Sequence, residues 1–308
     1  MDRPWQVFLG TAMWGWTIPK ARCFQLLDTY YEQGGRRVDT ATNYPINKKP
    51  ADFRKAETWL AEWTRVHQVD DLQVLIKVGS IDNLGGPENR LLRSFLLMSL
   101  DYYRGLFGDN LRTFSLHWDN RPEKEAVVET IEVLVQAEQQ GLETGLSGLK
   151  YPEHYAALLS NFKSKPWLQV KHHVFQSGLD YYSQLLPHCR PIAYGLTAGG
   201  IKRKGQYAAD SSLQARGGVH AHISSQTEAL EDLFQQIVVK IPSVHHLGLV
   251  HAWSNPAIQG VLLGPSRVDQ LQTSLQFLQR LSSDTSYQEV AKQILAWQTN
   301  HPYFRPKS

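Results

Sequence analysis

The feature that most constrains this chain is an alternation of short strand-like segments with longer amphipathic ones. The strand-like segments number eight and cover residues 5–10, 36–39, 73–79, 112–118, 143–147, 167–173, 191–195 and 258–264. Segments such as 52–68, 87–103 and 125–141 lie between them, with apolar residues spaced by three and four as in amphipathic helices. Parallel strands need such crossovers. The pattern therefore predicts a (β/α)₈ TIM barrel in preference to an open doubly wound sheet.

The barrel is expected to form a single domain. None of the 308 residues lies in a composition break that would serve as a linker. We expect a core over about residues 5–281, a C-terminal helix and tail over 282–308, and extra helices at the periphery. A long irregular loop is expected after the seventh strand, because residues 196–226 contain paired glycines and basic residues. Loops of this length in compact domains are usually functional or disordered.

Composition and charge exclude several classes of function. A net charge of +3 is too small to predict nucleic-acid binding. Cys23 and Cys189 do not form a CxxC pair or a zinc-type spacing, which predicts neither a disulfide framework nor a metal site. No apolar segment approaches the roughly 20 residues of a membrane span, and the N-terminus does not resemble a signal peptide. We expect a cytoplasmic protein without membrane partners, as a monomer or weak homo-oligomer.

Four polar residues fall where an active site would form in such a barrel, at the C-terminal ends of the strands. Asp39 and Tyr44 occur together in "RRVDTATNY", Lys77 lies in the apolar "VLIKVG", and His117 ends "SLH". A lone buried ammonium is costly, so Lys77 needs a carboxylate, and Asp39 on the adjacent strand is the nearest candidate. Singly, such residues often cap a helix, pack or form one hydrogen bond. Together they predict a catalytic site.

This pairing gives Tyr44 a chemical role. A phenol has an ordinary pKa of about 10 and is a poor acid at neutral pH. A neighbouring Lys77 ammonium would stabilise the phenolate and lower that pKa, making Tyr44 a general acid. His117 could donate a hydrogen bond to the same substrate oxygen and orient a carbonyl.

These motifs resemble those of the aldo-keto reductase superfamily, and the similarity extends from "LGTAMW" to "GPSRVDQLQTSL". The Asp, Tyr, Lys, His tetrad of the family corresponds to Asp39, Tyr44, Lys77 and His117. The resemblance implies one aldo-keto reductase-like barrel over residues 1–308, in which hydride passes from a nicotinamide to a carbonyl carbon. Tyr44 would protonate the oxygen, Lys77 would lower the Tyr44 pKa while held by Asp39, and His117 would orient the substrate.

The resemblance also implies residues for the nicotinamide end of the cofactor. Ser147 and Gln169 occupy the positions that bind the carboxamide, and Tyr194 occupies that of a stacking aromatic ring. The family usually has Asn after the serine, whereas this chain has Gly148, so one carboxamide contact is missing or replaced.

The phosphate-binding residues implied by the resemblance are basic or lie at a helix start. Lys202, Arg203 and Lys204 fall in a loop that resembles one folded over the pyrophosphate, with a solvated basic turn as an equally weighted alternative. The segment 264–275 resembles the adenosine-end motif, and a helix N-terminus there would favour a phosphate. The implied contacts to the 2′-phosphate and adenine come from Ser266, Arg267, Gln270 and Ser274. Gly264 and Gln270 replace a lysine and an arginine common in NADPH-specific members, and Ser274 replaces an asparagine. The favoured cofactor is NADP(H), with NAD(H) as the alternative.

The implied substrate is a small carbonyl compound. Trp14, Trp16 and Trp118, with Tyr151, are expected to form walls suited to an aromatic carbonyl or to the apolar face of a sugar. The leading hypothesis is a reversible NAD(P)H-dependent reductase of a small aldehyde, ketone or keto-sugar. One alternative is a cofactor-binding regulatory subunit with little turnover, and another is a barrel enzyme that forms a Schiff base on Lys77.

Overall fold

The computed structural model describes residues 5–203, Leu213 and residues 221–301. Nine strands occur in this part of the chain, and eight of them match the eight predicted segments with ends within two residues. They are β1 (Gln6–Gly10), β2 (Arg37–Ala41), β3 (Gln73–Val78), β4 (Leu111–Leu116), β5 (Glu143–Ser147), β6 (Trp167–His173), β7 (Gln176–Ser177), β8 (Arg190–Tyr194) and β9 (Gly260–Leu263). The unpredicted β7 is a two-residue strand that pairs antiparallel with the end of β6.

The eight long strands close into a parallel barrel. Their order is β5, β4, β3, β2, β1, β9, β8, β6, and β5 also pairs with β6, with Ser147 opposite Gln169. A sheet that returns to its first strand has no free edge. The predicted (β/α)₈ TIM barrel is therefore confirmed.

Helices surround the barrel and supply the crossovers between parallel strands. They are α1 (Lys20–Glu32), α2 (Lys55–Val66), α3 (Arg93–Phe107), α4 (Lys124–Gln139), α5 (Glu153–Ala156), α6 (Ala221–Gln236), α7 (Val244–Ser254), α8 (Val268–Ser283) and α9 (Ser286–Asn300). In α4 the buried Val127, Ile131 and Leu134 follow the predicted helical spacing. Gly141, with a φ of +92°, then lets Leu142 N–H bond the Ala137 carbonyl and end the helix.

The segment after β8 was predicted as irregular over 196–226, and this is only partly right, since α6 already begins at Ala221. Residues 204–212 and 214–220 of this segment lie outside the described residues. The peripheral α9 follows the barrel, and its Trp297 packs against Phe175 beyond β6. Each helix in the described part of the chain is too short or too polar to cross a bilayer.

The interior of the barrel has three layers, because strand side chains alternate between inward and outward. The middle layer is apolar and contains the buried cluster Phe8, Leu75, Trp167 and Ile192. Arg37, Glu143 and Arg190 form a charged layer at the strand starts. Residues two positions after those of the apolar cluster, such as Lys77 after Leu75, form a polar layer at the strand ends. The site described next lies in this upper layer.

Candidate active site

Lys77 lies at the centre of the upper layer and uses its three ammonium hydrogens on three different partners. Its Nζ donates to Asp39 Oδ2 at 2.6 Å, to Tyr44 Oη at 2.9 Å and to Gln169 Oε1 at 3.3 Å. Both members of the Asp39–Lys77 pair have side chains only 1% exposed. The predicted counter-ion of Lys77 is therefore confirmed, and the turn after β2 brings Tyr44 to the same ammonium.

The electrostatics of this cluster fix two protonation states. Burial by itself lowers the pKa of Lys77, but the Asp39 carboxylate and the Tyr44 oxygen raise it to about 12. Lys77 is thus a permanent ammonium. Burial, and secondly the charge on Lys77, hold the pKa of His117 well below its usual range. His117 is therefore a neutral imidazole, with its ring edge-on to that of Tyr44 at a centroid distance of 6.0 Å.

Gln169 connects the tetrad to Ser147. Its Nε2 donates to the second carboxylate oxygen of Asp39, and its Oε1 accepts from Ser147 Oγ at 3.2 Å as well as from Lys77. Sequence reasoning assigned Gln169 to the cofactor, and it did not foresee that the amide would also brace the Asp39–Lys77 pair. Hydrogen bonds between side chains of β2, β3, β5 and β6 thus hold the polar groups of the upper layer in place.

A cavity of about 390 Å³ opens above this network. All four tetrad residues line it, and so do the three residues expected at the nicotinamide, Ser147, Gln169 and Tyr194. Tyr194 ends β8 and is partly exposed, and burial raises the pKa of its phenol. The structure therefore brings together every residue predicted for the reacting end of the site.

A second cavity, of about 560 Å³, lies beside the first and shares residues with it. The shared residues include Met13, Thr197, His245 and Pro265. The second cavity is lined by five of the residues predicted for the phosphate and adenosine end, Lys202, Ser266, Arg267, Gln270 and Ser274. The two cavities together form one elongated groove, with the tetrad at one end and the start of α8 at the other.

The residues at the start of α8 already satisfy much of their own hydrogen bonding. The Gln270 Oε1 accepts from the Ser266 backbone N at 2.9 Å and from its Oγ at 3.1 Å. Arg267 forms an exposed ion pair with Asp269, with Nε to Oδ1 at 3.0 Å. An elongated groove that ends at a helix N-terminus with an arginine and a serine suits a dinucleotide phosphate.

The basic loop after β8 divides between two roles. Lys202 lines the second cavity. Arg203 instead pairs with Glu231 of α6 at 2.7 Å and lies over the Phe234 ring, so the expectation that it supplies charge to a pyrophosphate is not met. The α6 carboxylate attracts the guanidinium away from the groove. Lys204 lies outside the described residues.

Sequence reasoning missed His245, which lines both cavities. It follows Ser243, whose side chain caps α7, and its Nε2 lies 3.0 Å from the Ser274 Oγ. Burial lowers the pKa of His245 to about 4, so the ring is neutral. The available signal was the Ser243 cap in "PSVHH", which marks a helix start near the groove.

The cavity that the tetrad lines is called the catalytic cavity below. Of the residues predicted for the substrate walls, only Trp118 lines it. Trp14 is fully buried in the main core, because the turn after β1 folds its ring inward, and it contacts neither cavity. Trp16 and Tyr151 also lie outside both linings. Full burial in the core thus excludes Trp14 from the walls, whereas the assignment of Trp16 and Tyr151 stays a prediction. Met13 and Ile46 line the cavity instead.

The chain is similar to known oxidoreductases over most of its length. Residues 6–294 match the model of the Aldo/keto reductase family. The putative aryl-alcohol dehydrogenase AAD14 of Saccharomyces cerevisiae is 22% identical over 89% of this chain and 75% of its own length. The putative aryl-alcohol dehydrogenase AAD6 of the same yeast is 29% identical over 43% of this chain and 61% of its own length.

A third relative is the norsolorinic acid reductase stcV of Emericella nidulans, which is 28% identical over 68% of this chain and 57% of its own length. The match thus spans less than two thirds of the length of AAD6 and of stcV. The family model nonetheless covers nearly the whole chain, including all four tetrad residues. The chain belongs to the aldo/keto reductase family and is an oxidoreductase.

Proposed function

We propose that this enzyme is an NAD(P)H-dependent reductase that transfers hydride reversibly to the carbonyl of a small aldehyde, ketone or keto-sugar, with Tyr44 as general acid. The observation that supports this most strongly is the Lys77 ammonium, which donates to both Asp39 and Tyr44 at the wall of the catalytic cavity. An ammonium that donates to a phenol at a cavity wall stabilises the phenolate, and the phenol can then transfer its proton to an oxygen bound in the cavity.

In this proposal a bound nicotinamide supplies the hydride. Tyr44 gives its proton to the carbonyl oxygen as negative charge develops there, and Lys77 stabilises the phenolate that remains. Asp39 holds Lys77 in place and balances its charge. Because His117 is neutral, it acts as a hydrogen-bonding group that orients the carbonyl, and it is not the acid.

The same geometry argues against a Schiff-base mechanism. An amine nucleophile must lose its proton, which requires a lowered pKa. Asp39 and Tyr44 instead raise the pKa of Lys77 to about 12, against the effect of burial, and occupy its hydrogens. Lys77 therefore acts as a fixed charge.

The proposed cofactor is NADP(H) in preference to NAD(H). Lys202, Ser266 and Arg267 line the second cavity, where two positive charges and a hydroxyl would meet a 2′-phosphate and the pyrophosphate. Gln270 and Ser274 line the same cavity and would meet the adenine. Ser147, Gln169 and Tyr194 would hold the nicotinamide at the other end of the groove.

The proposed substrates are aromatic carbonyl compounds first and keto-sugars second. The catalytic cavity is lined by the rings of Trp118, Tyr44 and Tyr194 with Met13 and Ile46, which suit a flat apolar group. The names of the relatives, aryl-alcohol dehydrogenase and norsolorinic acid reductase, favour the same class. We further propose a single barrel domain and a cytoplasmic monomer or weak homo-oligomer. The free, buried thiols of Cys23 and Cys189 suit a reducing compartment.

The test is an assay of nicotinamide absorbance with NADPH, then NADH, and a panel of aromatic aldehydes and keto-sugars. Wild-type protein should oxidise NADPH with at least one aromatic aldehyde, and Tyr44→Phe should abolish this while binding NADP⁺ as tightly as wild type. Nucleotide binding without turnover on any carbonyl would instead indicate a regulatory subunit. Undiminished turnover in Tyr44→Phe would remove Tyr44 as the acid.

A further inference from the structure

Trp118 adopts a backbone conformation that few bulky residues adopt. It follows His117 at the end of β4 and has a φ of +59°, in the left-handed region. Two hydrogen bonds hold this conformation: Trp118 N donates to the Ser147 carbonyl at 2.9 Å, and Asn89 Nδ2 donates to the Trp118 carbonyl at 2.6 Å. A strained residue fixed from two sides at the wall of a catalytic cavity indicates a functional constraint.

The strained backbone places the indole against Gly148. A Cβ added at Gly148 would lie 2.5 Å from Cδ1 and 3.3 Å from Nε1 of Trp118. The first distance is too short for any side chain to coexist with the ring in this position. The Trp118 indole therefore fills the space that a side chain at position 148 would take, next to Ser147 and at the wall of the catalytic cavity.

The indole N–H of Trp118 stands apart from the other indole donors in the described part of the chain. Four of these donate to protein acceptors: Trp5 to the Ile258 carbonyl, Trp63 to Asp28, Trp167 to Glu143 and Trp297 to Asp232. Trp14 Nε1 has no partner among the described residues but is buried away from the groove, and the indoles of Trp16, Trp59 and Trp253, which also have no acceptor there, line neither cavity. Within those same residues Trp118 Nε1 has no acceptor, and its ring lines the cavity that holds the tetrad. This N–H is therefore available to donate to a ligand bound in the cavity.

We propose that Trp118 Nε1–H donates a hydrogen bond to the carboxamide oxygen of the nicotinamide and replaces the side-chain amide that Gly148 lacks. The inference rests on the proposed cofactor. The carboxamide would then be held by Ser147 and Gln169 on one side and by Trp118 on the other. Trp118 becomes a positioning residue that sets the rotation of the nicotinamide ring relative to Tyr44 and His117.

The first test measures binding by titration calorimetry without any turnover. The ligands are NADP⁺ and 2′-phospho-ADP-ribose, which lacks the nicotinamide, and the variant is Trp118→Phe, which keeps an aromatic ring but removes the N–H. Loss of one neutral hydrogen bond should weaken NADP⁺ binding about fivefold and leave 2′-phospho-ADP-ribose binding unchanged. Equal affinities of wild type and Trp118→Phe for NADP⁺ would overturn the inference while leaving the proposed function intact. Failure of wild type to bind either ligand would overturn both.

A second test observes the N–H itself. In ¹⁵N-indole NMR spectra, the resonance missing from Trp118→Phe identifies the Trp118 Nε1–H of the wild-type protein. This resonance should move downfield on addition of NADP⁺ and stay in place on addition of 2′-phospho-ADP-ribose. If it moves only when an unreactive carbonyl analogue is added to the NADP⁺ complex, the donor serves the substrate and the inference is wrong.

A third test exchanges the two side chains. Trp118→Ala should weaken NADP⁺ binding, and adding Gly148→Asn should restore it, because the vacated space admits the amide and asparagine tolerates a φ near +68°. Gly148→Asn alone should weaken NADP⁺ binding, since the new side chain must displace the indole. Additive losses in the double variant would show that the two positions do not substitute for one another, contrary to the inference.

Discussion

The two ends of the barrel interior each hold an ion pair, and the same strand contributes to both. β2 carries Arg37 and Asp39 two residues apart on its inward face. At the start of the strands, Arg37 Nη1 lies 2.9 Å from Glu143 Oε2. At the end of the strands, Asp39 Oδ2 lies 2.6 Å from Lys77 Nζ. The apolar layer of Phe8, Leu75, Trp167 and Ile192 lies between them.

The two pairs differ in what else contacts the charge. Glu143 is surrounded by donors that cannot react: its oxygens accept from the Trp167 indole at 2.6 Å and also lie 3.4 Å from Arg112 and 3.8 Å from Arg190. Lys77 instead shares its charge with Tyr44, which can lose a proton and faces a cavity. A saturated charge stabilises the fold, whereas a charge shared with an ionisable group at a cavity serves chemistry.

The largest expected effect comes from removing the shared charge. Lys77→Met should lower turnover about 10³-fold, because Tyr44 loses the ammonium that stabilises its phenolate. It should also destabilise the fold by roughly 3–5 kcal/mol, because Asp39 is left as an uncompensated buried carboxylate. Turnover from NADPH absorbance, NADP⁺ affinity by calorimetry and urea unfolding measure the three quantities. We expect the affinity to stay within about threefold of wild type, well below the loss of one charged hydrogen bond.

The control combines Asp39→Asn with Lys77→Met, which removes both charges. Its free energy of unfolding should exceed that of Lys77→Met, while turnover stays low. Turnover near that of wild type in either variant would contradict the role given to Lys77.

The second prediction concerns the pair at the start of the strands. Glu143→Gln should lower the free energy of unfolding by roughly 3 kcal/mol, because Arg37 and Arg190 lose a counter-ion whose side chain is only 13% exposed. Turnover of the folded fraction should stay within about twofold, since the apolar layer separates the substitution from the site. Urea unfolding and the NADPH assay make the comparison. The matched control is Glu289→Gln, whose exposed partner Lys292 is 3.6 Å away, and which should change stability by less than about 0.5 kcal/mol. A large loss of turnover in Glu143→Gln would break the division between the two ends.

The third prediction follows from the pKa of Glu143. Burial alone would raise this pKa, but hydrogen bonds from Arg37 and Trp167 and the charges of Arg37 and Arg190 lower it from 4.5 to about 2. A lowered pKa in the folded state adds stability above the unfolded value, and this stability is lost as pH falls through the folded value. Wild type should therefore lose on the order of 3 kcal/mol between pH 5 and pH 2 through this group. Unfolding curves of Glu143→Gln should lack this part of the acid dependence, and parallel curves for the two proteins would refute the assignment.

The barrel and its tetrad were predictable from local pattern. Short apolar segments between amphipathic ones predict the strands, and the C-terminal ends of parallel strands meet at one end of a barrel. Residues at those ends must converge, so Asp39, Lys77 and His117 could be grouped without a structure. The apolar surroundings of Lys77 demanded a counter-ion, and the strand order limited the choice to a neighbour.

The rest depends on side-chain directions that the local sequence does not specify. Arg37 and Glu143 are 106 residues apart, and their pairing across the barrel follows from its closure and stagger. The tryptophans after β1 and β4 looked equivalent, yet the turn buries Trp14 and the left-handed φ of Trp118 directs its ring onto Gly148. Loop backbone angles decide such cases, and hydrophobic periodicity carries no information about them.

The smallest expected effect comes from an exposed residue at the groove. It tests whether an exposed charge there contributes to cofactor binding. Arg267 and Asp269 form an ion pair at the start of α8, but their side chains are 51% and 66% exposed. Arg267→Ala should leave the melting temperature unchanged, since exposed pairs contribute little to stability. It should weaken NADPH binding about tenfold, the effect of losing a charged hydrogen bond, and NADH binding by less than twofold. Asp269→Asn is the matched control, because it releases Arg267 from its carboxylate and should tighten NADPH binding. Equal losses of NADPH and NADH affinity in Arg267→Ala would contradict the assignment of Arg267 to the 2′-phosphate.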